Sequence, residues 1–253
     1  PPGWLAHAQE AGMTTPSPGQ LRRDGRVAGA LYLAVVLSGM FCLAWVPGQL
    51  GDSAATAAAH AGLYRAGIAA FLLMQVAFLL LPLALYPVFA DVDRRAAVAM
   101  VALAVASVPL GLFALSHRME ALPLLQAVGG AREAIESAYA ASQQRAGNGL
   151  RLASLFWGLW LLPFGWLVLR SGRLPRVLGV LLLLGGIGYV VQVFGGLVPS
   201  VADAGWLRYV RMPAAFGEIG SCLWLLLFGA GPGRAGKPPG SPASVAGRGP
   251  GKQ

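Results

Sequence analysis

Charged residues are scarce in this chain, at 11% of 253 residues, whereas hydrophobic residues make up 56%. A soluble domain usually carries about 25% charged residues. The scarcity therefore argues against a soluble globular protein. The formal net charge of +9 does not indicate nucleic-acid binding, because the basic residues lie at the ends of apolar runs and form no single patch.

Cysteine and histidine are also rare, with two and three residues. The sequence contains no CxxC pair, no HExxH, no GxxxxGK[ST] and no serine nucleophile elbow, so it carries no zinc, P-loop or hydrolase signature. His117 and Glu120 are three residues apart and could share a helical face, but a closed metal site needs more convergent ligands. We predict no metal, no cofactor and no catalytic residue, and an enzyme is the less favoured class.

Long apolar sequence is what the chain has in abundance. A run of about 18 or more apolar residues with few charges is typical of a transmembrane helix, and six such runs occur. The pattern predicts an all-α, polytopic integral membrane protein, a bundle of six transmembrane helices with short amphipathic helices on the outer side. The predicted spans are residues 27–46, 66–90, 96–115, 152–169, 177–198 and 213–230.

The segments outside the spans are polar or rich in small residues. Residues 1–26 and 231–253 are predicted to be disordered cytoplasmic segments, and Met13 is a possible true start. Ala54–Arg65 and two stretches within Met119–Arg145 are predicted as outer-side helices, with Asp52 or Ser53 as the N-cap of the first.

The arginines and lysines predict the orientation. Segments on the side of the N-terminus carry twelve of them and the opposite side carries seven. By the positive-inside rule, both termini are cytoplasmic in a bacterial cytoplasmic membrane. The expected partner is the lipid bilayer, with anionic lipids at the inner surface as a further possibility and with no nucleic acid; the oligomeric state stays open.

Glu218 is the one acidic residue inside a predicted span, about five residues or roughly 7–8 Å from its outer boundary at 1.5 Å per residue. Ionisable residues within spans are costly and usually face a bundle interior, where they pair with another group. Arg65 and Arg151, at the outer ends of their spans, are the predicted partners. Asp52, in the outer loop, is a weaker candidate for a functional role.

A further signal is a long motif. Leu155–Val191 reads LFWGLWLLPFGWLVLRSGRLPRVLGVLLLLGGIGYVV. Together with Gly51–Asp52, Leu63–Gly67 and the segment Pro213–Glu218, it resembles a bacterial family of integral membrane proteins catalogued only as a domain of unknown function. The resemblance covers roughly residues 27–229 and implies a multi-spanning membrane protein. It carries over no catalytic or binding residue.

Three functions remain open at this point. The first is a structural or regulatory, non-enzymatic membrane protein in which a pair of Glu218 with an arginine organises the bundle. The second is a small proton- or ion-coupled transporter that uses Glu218 in an outward-facing cavity. The third is an enzyme that acts on lipid-borne groups at the outer interface. A cavity beside Glu218 favours the second, a sealed ion pair favours the first, and a lipid-open cleft with several polar groups favours the third.

Overall fold

The structure is a computed structural model, and it describes residues 17–126 and 131–231. Within these residues all regular secondary structure is helical. Six helices are long and apolar enough to cross a membrane, which confirms the predicted fold class. Their membrane-facing sides keep large apolar side chains exposed, as in the stripe Leu73, Val76, Leu80 and Leu83, where a soluble protein would place polar residues.

The helices are labelled in chain order. The six spanning helices are α1, α3, α4, α5, α6 and α8, and the short helices α2 and α7 lie in connections. The bounds are α1 Pro18–Leu50, α2 Ala54–Ala59, α3 Ala61–Phe89, α4 Arg94–Glu120, α5 Arg132–Ser171, α6 Arg176–Gly195, α7 Pro199–Ala202 and α8 Met212–Phe228.

The spanning helices form a closed ring. Each packs mainly against its neighbours in the chain, and α8 returns to pack against α1. We call the end with residues 17–26, 90–94, 171–176 and 228–231 the terminal end. We call the opposite end, with residues 50–60, 120–135 and 196–211, the cap end.

Glycines bring α1 and α8 into backbone contact at the terminal end. A Cβ on Gly25 would collide with the backbone of Ala230, and one on Gly29 with the backbone of Leu226. Gly229, whose φ is +68°, ends α8 against the backbone of Arg22. Small residues at such crossings let helix backbones approach closely. The two helices are therefore pinned together at this end.

The interior of the terminal half is packed with aromatic rings. Trp160 and Phe164 stack with their ring centroids 5.3 Å apart, and Phe78 and Phe89 meet these two rings edge-on. Tyr32 lies 6.2 Å from Trp160. We call these five residues the aromatic floor. Leu81, Leu85 and Val88 fill the apolar core alongside these rings, between Phe78 and Phe89 of α3.

Several helices extend beyond the predicted spans. Residues 18–26, predicted as disordered, form the first turns of α1, because Ser17 caps the helix by accepting a hydrogen bond from the Gln20 amide at 3.2 Å. The predicted outer helix after Gly130 is not separate but is the start of the 40-residue α5. The remaining parts of the predicted terminal segments, 1–16 and 232–253, lie outside the described residues.

Candidate ligand-binding cavity

A cavity of about 460 Å³ occupies the cap half of the ring. We call it the cap cavity. Its walls come from α1, α3, α5, α6, α8 and the segment before α8. Three members of the aromatic floor, Tyr32, Phe78 and Trp160, also line it. The cavity is therefore closed toward the terminal end and lies toward the cap end.

The backbone of α1 changes where it lines the cavity. Met40–Trp45 is a π-helical stretch, and the Val46 amide bonds the Phe41 carbonyl five residues back. Pro47 follows directly and has no amide hydrogen to bond the Leu43 carbonyl, so the regular ladder is broken there. Such π-bulges occur frequently at functional sites. Here the widened turn places Met40, Leu43 and Ala44 in the cavity wall.

The cavity also reaches the surface of the bundle. Met40 of α1 is 59% exposed, and Met212 and Ile219 of α8 are 48% and 41% exposed, although all three line the cavity. The glycine contacts hold α1 and α8 together at the terminal end, so the gap lies between their cap-end halves. In a bilayer, lipid would face this gap.

Glu218 lines the cap cavity from α8. Gly217 lets α8 approach the backbone of α6 near Leu182, which holds this turn of the helix in place. The carboxyl lies beside Tyr32 of α1 and Tyr189 of α6. In the described part of the chain, Glu218 forms no salt bridge within 4.0 Å. A carboxyl in this position can bind a cation, exchange a proton or accept hydrogen bonds from a ligand.

Three further residues in the cavity wall carry buried polar atoms. The Tyr32 hydroxyl lies beside the Glu218 carboxyl, which can accept from it. The Trp160 indole nitrogen and the Gln75 side-chain oxygen have no hydrogen-bond partner; the Gln75 amide nitrogen bonds the Val108 carbonyl of α4 at 3.1 Å, so only its oxygen is left over. Buried polar atoms are normally hydrogen-bonded, and those that are not call for an explanation. One donor and one acceptor in the wall of one cavity are explained by a ligand or water that they bind.

Two arginines line the cavity from the segment before α8. Arg211 lies over the ring of Tyr189, with its guanidinium carbon 5.8 Å from the ring centroid. Arg208 lies over Tyr209 at 5.9 Å. Neither arginine forms a salt bridge with a carboxylate within residues 17–126 and 131–231. Because Tyr189 also neighbours Glu218, the arginine rim and the carboxyl are linked through one side chain.

The structure does not bring the predicted partners to Glu218. Arg65 and Arg151 are both exposed and neither lines the cap cavity. Asp52 is exposed in the loop before α2, and Ser53 is the N-cap there, accepting from the Ala55 amide at 3.2 Å. Sequence reasoning missed Tyr32 and Tyr189 as neighbours of Glu218, and it missed Gln75 and Arg211 as residues of the same cavity. The one available signal was Gln75, an amide side chain in an otherwise apolar span.

A second carboxylate, at the terminal end, has the opposite environment. Asp91 accepts hydrogen bonds on both oxygens from the buried guanidinium of Arg173, at 2.7 and 2.5 Å. The same guanidinium also donates to the Val88 carbonyl. The hydrogen bonds from Arg173, together with its charge, hold the pKa of Asp91 below its usual value of 3.8. This pair joins the loop after α3 to the loop after α5.

The SGRLP part of the long motif builds that pair. Ser171 accepts from the Arg173 amide at 3.2 Å, and Gly172 adopts a left-handed conformation with φ of +64°, which glycine takes at low cost. Leu174 is buried and Pro175 precedes α6. The motif is therefore a helix-ending turn that turns an arginine inward.

A family model matches this chain over residues 27–229, and its description is Domain of unknown function (DUF4386). The chain belongs to this family, as the long motif indicated. Its six long apolar helices are those of a multi-pass membrane protein.

A curated relative is an uncharacterized protein of Archaeoglobus fulgidus, which is 31% identical over 80 residues. The match covers 32% of this chain and 46% of that protein, so the chain spans about half the length of the relative it matches. No solved structure matches the chain.

Proposed function

We propose that this protein is a small carrier that binds a solute in the cap cavity and uses the Glu218 carboxyl as a proton- or ion-exchanging group. The observation that carries the proposal is a carboxyl that lines an open cavity of about 460 Å³ without a salt bridge in the described residues. A carrier binds its solute near the middle of the membrane between packed helices, and intramembrane carboxyls mark such pathways.

Two other observations support a carrier over the alternatives. The structural hypothesis rests on a pair of Glu218 with Arg65 or Arg151, and both arginines are exposed and away from the cavity. The opening of the cavity to lipid beside several polar groups also fits the enzyme hypothesis, but an enzyme needs a nucleophile as well as a base beside the substrate. Glu218 supplies one carboxylate, and the described lining contains no serine, cysteine or histidine. A closed aromatic floor below an open cavity is the arrangement expected of one state of a carrier.

The orientation is part of the same proposal. With the twelve basic residues of the terminal side in the cytoplasm, the cap cavity opens toward the outside and the outer leaflet. The lipid bilayer is then the solvent of the exposed apolar sides, and the basic segments at the terminal end face anionic lipids of the inner leaflet.

A cysteine-accessibility experiment tests the carrier without knowledge of its solute. Cys42 and Cys222 are buried and free, and both are replaced by alanine. Single cysteines are then introduced at Ala215, which is exposed and lines the cavity, and at Leu85, which is buried outside the cavity lining, two turns from Phe78 toward the terminal end. Each variant is treated with a membrane-impermeant maleimide from one side at a time.

We expect Ala215→Cys to react from the cap side and Leu85→Cys to react slowly from the terminal side. Adding Glu218→Gln should change the rate at Leu85→Cys several-fold, because a carrier couples its gating to the exchanging group. If Leu85→Cys never reacts while Ala215→Cys does, and Glu218→Gln changes neither rate, the protein has one static cavity and is not a carrier.

A further inference from the structure

We infer that the solute of the cap cavity is an anionic amphiphile, a molecule with a phosphate-like or carboxylate head and an apolar chain, which enters from the lipid between α1 and α8. The inference rests on the proposed use of the cap cavity as a solute site and names the class of solute. The head would lie inside the cavity and the chain would lie in the gap between the two helices.

The negative charge of the head is inferred from two arginines in the cavity wall. Arg208 and Arg211 both line the cavity, and within the described residues neither is paired with a carboxylate. Guanidinium groups bind phosphate and carboxylate oxygens through charge-assisted hydrogen bonds. The guanidinium of Arg211 lies over the ring of Tyr189 and that of Arg208 over the ring of Tyr209, and a guanidinium that contacts a ring through its face keeps in-plane N–H groups that can donate to an anion.

The hydrogen-bonding pattern of the interior fits the same head. The Trp160 indole is a buried donor without a partner, and it lines the cavity. An oxygen-rich anionic head supplies an acceptor to it. The Gln75 oxygen is an acceptor without a partner, so it suits a hydroxyl of the head.

The apolar chain of the amphiphile is inferred from the walls of the cavity and from its opening to the surface. Apart from these polar groups, the lining is apolar, with residues such as Val35, Val36 and Met74 facing the space. Met40, Met212 and Ile219 belong to the lining and to the exposed surface at once. Flexible methionine side chains adapt to varied apolar partners. An apolar chain can therefore leave the cavity sideways into the bilayer and remain in apolar contact throughout.

The test uses the full chain in nanodiscs of phosphatidylcholine, and it measures saturable binding as a rise in unfolding temperature after subtraction of empty discs. Four probes distinguish the contribution of the charged head from that of the apolar chain, and an anionic head from a neutral or cationic one. They are dodecyl phosphate, inorganic phosphate, dodecyl maltoside and dodecyltrimethylammonium. We expect saturable binding of dodecyl phosphate only. Inorganic phosphate as the sole binding probe would mean a free-anion site, and equal binding of all dodecyl compounds would mean chain partitioning; either result overturns the inference.

Matched variants locate the site. Replacing both arginines by glutamine, Arg208→Gln with Arg211→Gln, should weaken dodecyl phosphate binding at least about tenfold. Replacing both by lysine, Arg208→Lys with Arg211→Lys, should retain part of the binding, because lysine keeps the charge but lacks the planar guanidinium that donates two parallel hydrogen bonds. Arg132→Gln with Arg145→Gln removes the same charge from the same end, away from the cavity, and should have no effect. An equal loss in both glutamine pairs would mean diffuse attraction and would reject the rim site.

A substitution inside the cavity gives an independent measurement. Ala215→Phe should fill the space and abolish saturable binding, while the melting profile of the empty protein shows whether the variant folds. Unchanged binding in a folded Ala215→Phe protein places the ligand elsewhere. If dodecyl phosphate binds but cysteine accessibility does not alternate, the ligand class is supported and the carrier function is rejected. If accessibility alternates but dodecyl phosphate does not bind, the carrier function is supported and the ligand class is rejected.

Discussion

At the terminal end, Asp91 accepts two hydrogen bonds from a buried guanidinium, and in the cap half Glu218 faces an open cavity with no salt bridge in the described chain. Asp91 lies in the loop after α3 and Glu218 within α8, and of the two only Asp91 has both oxygens bound by a bidentate guanidinium. The difference separates two roles for a carboxyl group. Asp91 joins two loops and fixes their relative position, whereas the Glu218 carboxyl can still bind a ligand that enters the cap cavity.

The two halves of the ring differ in packing in the same sense. The terminal half has glycines in backbone contact and stacked aromatic rings. The cap half has a π-helical stretch, unpartnered polar atoms and a gap to the surface. A dense half and an open half in one bundle predict that substitutions will affect stability in the first and binding in the second.

The largest expected effect is at the paired carboxyl. Asp91→Ala should lower the free energy of unfolding by about 3 kcal/mol, because it leaves the buried Arg173 guanidinium without its counter-charge. The measurement is denaturant titration of the protein in detergent. The matched substitution Glu218→Ala should cost clearly less, and an equal cost would remove the distinction between the two carboxyls.

The next effect is at the contact of α1 with α8. Gly29→Ala should cost about 1–3 kcal/mol, because its Cβ would overlap the backbone of α8 at Leu226. Gly19→Ala, in the same helix with open space around it, should be neutral or stabilising by up to about 1 kcal/mol. Thermal unfolding of the two variants side by side checks the prediction, which fails if they behave alike.

Acid should weaken the terminal end specifically. The folded pKa of Asp91 lies below its usual value of 3.8 because of the hydrogen bonds from Arg173. The carboxylate therefore contributes stability that is present above its unfolded pKa and is lost as the pH falls below about 4 through the folded pKa. The unfolding free energy should fall less steeply with decreasing pH in Asp91→Asn than in the unaltered protein. An equally steep fall in both proteins would assign the acid sensitivity to other groups.

Glu218→Gln should change the unfolding free energy by less than about 1 kcal/mol, because the glutamine oxygen can still accept from the Tyr32 hydroxyl and no salt bridge in the described residues is lost. The same variant should change the accessibility of Leu85→Cys, as proposed above. A large loss of stability would show that Glu218 is structural after all.

The smallest effect is expected at the surface pair of the terminal end. Arg170 lies 3.4 Å from Asp93, and the arginine is half-exposed. Exposed pairs of this kind contribute little to stability, so Arg170→Gln should be close to neutral in denaturant titration. A loss comparable to that of Asp91→Ala would mean that exposure does not set the value of these pairs.

The fold was predictable from the sequence because a segment that crosses a bilayer must satisfy its own backbone hydrogen bonds, which a long apolar helix does. Six long apolar runs have few other solutions, and all six appear as helices. Helix ends were less predictable: α1 begins earlier because Ser17 caps it, and α5 begins earlier because Gly147 and Gly149 do not interrupt it. Gly149 is in fact packed against Ala114 of α4.

The candidate site was only partly predictable. Glu218 was identifiable as the one carboxyl inside a span, but its neighbours depend on how α8 meets α1 and α6, and sequence distance does not show that. Depth in the membrane alone suggests Arg65 and Arg151 as partners, but both side chains lie on the exposed surface of their helices. Arg173 shows the reverse case, since a loop arginine became buried through the turn at Gly172.

The most direct test compares two positions in α8. Glu218→Cys, with Cys42 replaced by alanine, is treated with a membrane-impermeant maleimide from the cap side, and the native Cys222 one turn further along is the internal control. Cys222 is buried and outside the cavity lining. We predict rapid modification at position 218 and none at Cys222. Equal and slow modification of both would mean that Glu218 does not face an open cavity, and it would contradict the distinction between the two halves.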